Sequence, residues 1–164
     1  MSLSLIFRSG MRAYFIPFAA GVTLAISAFL PWVIVDGVAM KGVPDVAGLW
    51  IAGLGGVAAL LAVLSLTTRK NSRHPLLLVG LVALGIMFLS WRILPRSAGE
   101  RALTISQAAA IVENTPMTGG PVARVGVGIY VGLVASCVLV GFGMTIVIRR
   151  AVQPYAVPSA DDDV

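Results

Sequence analysis

The sequence predicts an all-α membrane protein whose four transmembrane helices form an up-down bundle. Four apolar stretches carry this prediction, at residues 13–35, 49–67, 75–94 and 125–148. Each is close to the roughly 20 residues that a helix needs to cross the hydrocarbon core of a bilayer. They contain no Asp, Glu or Lys, and Arg92 is their one charged residue. With 58% hydrophobic and 12% charged residues, the chain is far more apolar than soluble domains, which are about 25% charged.

The first stretch follows Arg8 and Arg12, as the core of a signal peptide would, but it exceeds the roughly 7–15 residues of such a core. We therefore expect a retained first span, which Pro31 kinks or ends just before Trp32. The short connections 36–48 and 68–74 predict turns, so the first three spans run as antiparallel neighbours.

The connection 95–124 is too long to lack structure in a compact protein. Two residue pairs have the spacing of a helix capping box, Ser97 with Glu100 and Thr104 with Gln107. Apolar residues then recur at helical spacing. We expect a short amphipathic helix near 105–114, which lies on the outer face of the bilayer or covers the bundle.

Basic residues predict the orientation. One side of the predicted bundle receives seven of them: Arg8, Arg12, Arg69, Lys70, Arg73, Arg149 and Arg150. Cytoplasmic loops carry an excess of Lys and Arg, so both termini are expected in the cytoplasm of a multi-pass protein of the bacterial inner membrane. Residues 1–150 are expected to form one domain, and the Pro-containing, acidic segment 151–164 a disordered cytoplasmic tail. Because the cations flank the spans, the net charge of +5 does not indicate nucleic-acid binding.

Three tryptophans map to the outer ends of the spans: Trp32, Trp50 and Trp91. Indole rings are favoured at the depth of lipid headgroups, so we interpret these residues as interfacial anchors, with a ligand-binding cluster as the alternative. Arg92 lies close enough to the same interface for its side chain to reach water. The other interpretation of Arg92 is a contact with a lipid headgroup or a partner carboxylate.

Small residues recur every four positions in the spans and predict close helix approach. The clearest sets are Gly128, Gly132 and Ser136, Ala52 with Gly56, Gly55 with Ala59, and Gly21 with Ala25. Such faces pack within the bundle or dock onto a partner protein, and the spacing alone is compatible with both.

Catalytic and metal-binding patterns are not evident in the sequence. His74 is the one histidine and lies in a basic loop, while Cys137 is the one cysteine and lies within a span. Nucleophilic catalysis needs a base beside the nucleophile, and zinc sites need clustered ligands. We therefore expect a protein that is not an enzyme and holds no cofactor or metal.

The segments Leu30-Pro31-Trp32 and Gly48-Leu49-Trp50, followed by Gly- and Ala-rich spans, resemble small actinobacterial four-helix membrane proteins of the tryptophan-associated type. The resemblance implies architecture rather than activity. The expected function is that of a non-catalytic accessory subunit or assembly factor of a larger bacterial membrane complex, such as a respiratory or cell-envelope complex. Its partners would be membrane lipids and other membrane subunits. The alternative is a small homo-oligomeric protein for transport or lipid handling.

Overall fold

The computed structural model describes residues 14–68, 73–116 and 120–152. In chain order the elements are α1 (Phe15–Ser27), β1 (Pro31–Val35), β2 (Val38–Lys41), α2 (Val46–Thr68), α3 (Arg73–Glu113), β3 (Ala123–Val125) and α4 (Val127–Val152). The chain is mostly helical, as predicted, and α2, α3 and α4 are each long and apolar enough to cross a membrane. The segments 1–13 and 153–164 and four of the seven orientation-setting cations lie outside the described residues. The predicted tail 151–164 falls in that undescribed part except for Ala151 and Val152, which end α4.

The first predicted span, 13–35, is wrong in its outer third. The helix α1 ends at Ser27, and Pro31–Val35 forms the strand β1. The 13 residues of α1 rise about 20 Å along the helix axis, which is less than the ~30 Å thickness of the hydrocarbon core. Pro31 cannot donate a helical hydrogen bond, and the β-branched residues that follow favour a strand. Of the predicted bundle, therefore, three long apolar helices are confirmed and the fourth helix is shorter.

Two loops that are distant in sequence build a three-stranded antiparallel sheet in the order β2-β1-β3. Asp36 and Gly37 make the turn between the paired residues Val35 and Val38, with φ of 48° and 82°. Positive φ at both positions is the pattern of a type I′ hairpin turn, which favours Asp-Gly. Strand β3 pairs with the other edge of β1, with Val33 opposite Val125. The segment 36–48 therefore contains the hairpin turn and the strand β2 and is not a simple turn.

Helix α3 continues through Pro95 to Glu113, so the expected separate helix at 105–114 is wrong. Its 41 residues span about 60 Å, roughly twice the hydrocarbon core. The predicted capping boxes are also wrong: the Ser97 hydroxyl donates to the Leu94 carbonyl (3.1 Å), and the Thr104 hydroxyl donates to that of Glu100 (2.9 Å). Both hydroxyls donate to carbonyls of the preceding helical turn, so neither residue caps the start of a helix. Pro95 cannot donate a helical hydrogen bond, and α3 contacts both β1 and β3.

The main contacts between helices are in the pairs α1–α2, α2–α3, α3–α4 and α4–α1. The backbones of α1 and α2 approach each other closely. A Cβ atom added at Gly55 would lie 2.5 Å from the Ala25 backbone nitrogen, and one added at Gly21 would lie 2.7 Å from that of Ala59. Larger side chains fill the interior elsewhere: Leu24, Ile51, Leu76, Met87, Ile129 and Leu139. We call the three strands, together with α3 beyond Pro95, the sheet end of the molecule.

Candidate functional site

Trp32 lies at the centre of the junction between the helices and the sheet. Its side chain is 2% exposed, and its indole N–H donates to the carbonyl of Ser27 at the end of α1 (2.9 Å). Gly42 and Gly128 lie against the ring, so that a Cβ at Gly128 would be 2.7 Å from its Cδ1 atom. The Trp32 carbonyl accepts from the N–H of Gly126, just before α4 (2.7 Å).

Trp32 therefore differs from the interfacial anchor that the sequence led us to expect. Its ring is enclosed by this chain and is not exposed on the outer surface. The sequence did not indicate that Gly42 and Gly128 contact Trp32, because these residues are distant in sequence and meet only in the folded chain. Trp50 and Trp91 instead lie on the outer surface of the helices, with Trp50 61% exposed. Their role as anchors stays a prediction.

The small-residue face of α4 packs inside the chain. Gly128, Gly132 and Ser136 are all buried. A Cβ at Gly132 would lie 2.9 Å from the Ser27 hydroxyl and would also meet the end of the Met87 side chain. The face thus has no free surface for a partner in this structure.

The other predicted pair, Ala52 and Gly56, lies on α2. Ala52 is half-buried against the core, whereas a Cβ at Gly56 would meet nothing within 4 Å. The outward face of α2 around Gly56 is consequently open, in contrast to the face around Gly55. The function of the open face stays a prediction.

Arg92 is exposed on α3. Among the residues that the structure describes, no carboxylate oxygen lies within 4.0 Å of a Lys or Arg nitrogen, so Arg92 has no ion pair there. Asp36, an acidic residue of the connection 36–48, forms hydrogen bonds with Val122. Its carboxylate accepts from the N–H of Val122 (3.1 Å), and its own N–H donates to the Val122 carbonyl (3.3 Å). Asp36 therefore secures the hairpin to the chain that enters β3, and the role of Arg92 stays a prediction.

A half-enclosed pocket of about 430 Å³ lies at the sheet end, between the β1–β2 hairpin, residues 43–45 and α3. Its apolar walls are formed by Trp32, Val33, Val35, Met40, Val43, Pro44, Leu94, Ala98, Ala102 and Ile105. Its polar lining residues are Lys41, Asp45, Ser97 and Arg101. We refer to this cavity as the sheet-end pocket.

The wall from α3 explains why the sequence did not reveal this pocket. Leu94, Ala98, Arg101 and Ile105 follow one another at spacings of four, three and four, which places them on one face of a helix. This spacing runs across Pro95, where we expected the third span to end. The periodicity beyond Pro95 and the Asp36-Gly37 turn signal were the two sequence features that could have indicated the site.

The structure contains a second groove, between α1 and α4, of about 590 Å³. Its lining is almost entirely apolar and includes Ile16, Thr23, Tyr130 and Val134. Within the described ranges no group of three or more His, Cys, Asp or Glu residues is placed to hold a metal ion. In contrast to the groove between α1 and α4, the sheet-end pocket combines apolar walls with charged groups.

No family model, curated protein or solved structure matches this chain. The resemblance to tryptophan-associated membrane proteins consequently stays a prediction, and the function has to be argued from the structure itself.

Proposed function

We propose that the protein is a non-catalytic accessory subunit or assembly factor of a larger bacterial membrane complex. One observation carries this proposal: α3 extends well beyond the other helices and presents apolar side chains at its end. Ile111 is 81% exposed and Val112 is 86% exposed. We call these two residues the α3 tip.

The position of the α3 tip argues for a protein partner rather than lipid. Ile111 lies 16 residues beyond Pro95, which corresponds to about 24 Å along the helix axis. Since the apolar part of α3 before Pro95 already suffices to cross the bilayer, we place the tip outside the hydrocarbon core. Apolar groups exposed outside the core lower their free energy when a partner covers them.

Gentle detergent extraction followed by native mass spectrometry tests the proposal. The wild-type protein should carry other subunits at fixed stoichiometry, and the double substitution Ile111→Ser with Val112→Ser should release them. A matched control substitutes Gln107→Ser and Ala108→Ser, which are also exposed on the same part of α3. A pure homo-oligomer would contradict the accessory role, and equal loss of partners from both variants would contradict docking on the α3 tip.

The proposed orientation places the sheet end outside the cell and both termini in the cytoplasm. It rests on the excess of basic residues at the opposite end of the helices. In a Cys137→Ser background, an impermeant maleimide on intact cells should label Thr115→Cys and leave Thr68→Cys unlabelled. Both positions are exposed, so their accessibility differs only by side. The reverse labelling pattern would refute the orientation.

Lipid handling is the second candidate function, and the sheet-end pocket favours it. The pocket offers apolar walls to a chain and two cations to a headgroup. Transport through the bundle has no comparable observation in its favour among the described residues.

A further inference from the structure

We propose that the sheet-end pocket binds one anionic phospholipid from the adjoining leaflet. The lipid phosphate would lie between Lys41 and Arg101, and an acyl chain would follow the apolar wall of α3. This inference is independent of the accessory role, because its residues do not include the α3 tip and its test needs no partner protein.

Charge is the first argument for an anionic occupant. Lys41 lies on β2 and Arg101 on α3, so two separate elements bring cations to one pocket. Neither cation has a carboxylate within 4.0 Å in the described part of the chain. Asp45 is the one acidic residue of the lining, which leaves the pocket with a surplus of positive charge. A guanidinium binds phosphate through two parallel hydrogen bonds, and an ammonium binds it as a point charge.

The walls argue for an acyl chain rather than a free phosphate ion. Ten of the lining residues are apolar, and the volume of about 430 Å³ lies in the usual range of roughly 300–1,000 Å³ for ligand pockets. On α3 the lining runs from Leu94 to Ile105, about 16 Å along the helix axis. An inorganic anion would use the two cations and leave this apolar surface uncovered.

The depth of the pocket argues for a lipid rather than an acidic peptide. Asp45 immediately precedes Val46, the first residue of a helix long enough to cross the membrane. Leu94 likewise lies at the end of the apolar part of α3. The lower part of the pocket is therefore at the boundary between hydrocarbon and headgroups, where lipid phosphates already lie at high local concentration.

Binding can be measured by native mass spectrometry on the full chain in a neutral detergent. The probe is dioleoyl-phosphatidylglycerol, and dioleoyl-phosphatidylcholine has the same chains with a zwitterionic headgroup. We expect the anionic lipid to bind with a stoichiometry of one and to be preferred. The double variant Lys41→Gln with Arg101→Gln should weaken its binding about tenfold or more, because both charge-assisted contacts are lost.

The matched control is the double variant Arg96→Gln with Arg124→Gln. Both residues are exposed at the sheet end and neither lines the pocket, so this variant removes the same charge from the same end of the protein. It should bind the anionic lipid as the wild type does. Equal weakening in both double variants would overturn the proposal, because general attraction between the lipid and a basic surface would then suffice.

Two further variants test the pocket itself. Asp45→Asn removes the one acidic group of the lining and should tighten binding, whereas Ala98→Phe fills the apolar wall and should weaken it without a change in charge. Soluble glycerol phosphate has the anion but no chain, so it should compete only at concentrations far above that of the lipid. Glycerol phosphate that binds as tightly as the lipid, or wild-type lipid binding in a folded Ala98→Phe variant, would overturn the proposal. Circular dichroism and thermal unfolding in phosphatidylcholine identify any variant that fails to fold.

Discussion

The contact between α1 and α2 depends on small residues, whereas the junction between the helices and the sheet also depends on one large side chain. Where α1 meets α2, the backbones approach so closely at Gly21 and Gly55 that one added carbon would collide with backbone atoms. At the sheet end, the large side chain of Trp32 fills the junction between α1, β1 and α4. Lipid supplies no hydrophobic drive for helix association, so helices gain from smooth, close contact. The contact of α1 with α2 at Gly21 and Gly55 should therefore not tolerate an added atom, and the junction at Trp32 should not tolerate the loss of its side chain.

The largest expected effect comes from the removal of Trp32. The change Trp32→Ala should lower the free energy of unfolding by about 3–5 kcal/mol, the usual cost of deleting a buried aromatic side chain. Denaturant titration in a fixed detergent measures this difference. Trp50→Ala is the control, because Trp50 is largely exposed and its loss should cost far less. Similar losses in the two variants would show that Trp32 does not hold the sheet end together.

The next effect tests the helical part with a single added carbon. Gly55→Ala places a Cβ against the backbone of Ala25 and should destabilise the protein by about 1–3 kcal/mol. Gly53→Ala, two residues away, meets nothing within 4 Å and should stabilise it by up to about 1 kcal/mol, since Ala favours helices over Gly. The two substitutions should therefore change the free energy of unfolding in opposite directions. A Gly55→Ala protein as stable as wild type would mean that α1 and α2 can separate freely.

A smaller effect is expected at the hairpin turn. Gly37 has φ of 82° with open space around it, so Gly37→Ala should cost about 1 kcal/mol through backbone strain alone. Gly37→Asn should recover much of that loss, because Asn tolerates the left-handed region better. Thermal unfolding of the two variants in one detergent tests the order. An Ala variant more stable than the Asn variant would contradict the turn assignment.

The smallest effect is expected for Arg92→Lys. Arg92 is exposed and lacks a carboxylate partner among the described residues, so a lysine that also reaches the interface should replace it with almost no change in thermal midpoint. Co-purifying lipid, measured by mass spectrometry, should also be unchanged. A loss of bound anionic lipid from an inserted and folded variant would show that Arg92 makes a two-pronged contact that Lys cannot reproduce.

The sequence by itself determined the apolar helices and part of their packing. The predicted spans 49–67 and 125–148 match α2 and the described α4 to within a few residues, because continuous apolar composition over that length has few other solutions. The pairs Gly21 with Ala25 and Gly55 with Ala59 were also visible as small residues four apart. In the structure they lie where the backbones of α1 and α2 approach each other closely.

Only the tertiary structure decided the sheet end. A short apolar run such as Pro31–Val35 is compatible with the end of a helix and with a strand. The strands that pair with it decide between the two. One of those partners, β3, lies about ninety residues further along the chain. The same strands support α3 beyond Pro95 and thereby complete the sheet-end pocket. Local periodicity fixes what a segment can form, whereas pairing between distant segments fixes which form is stable, and the candidate site depends on the second.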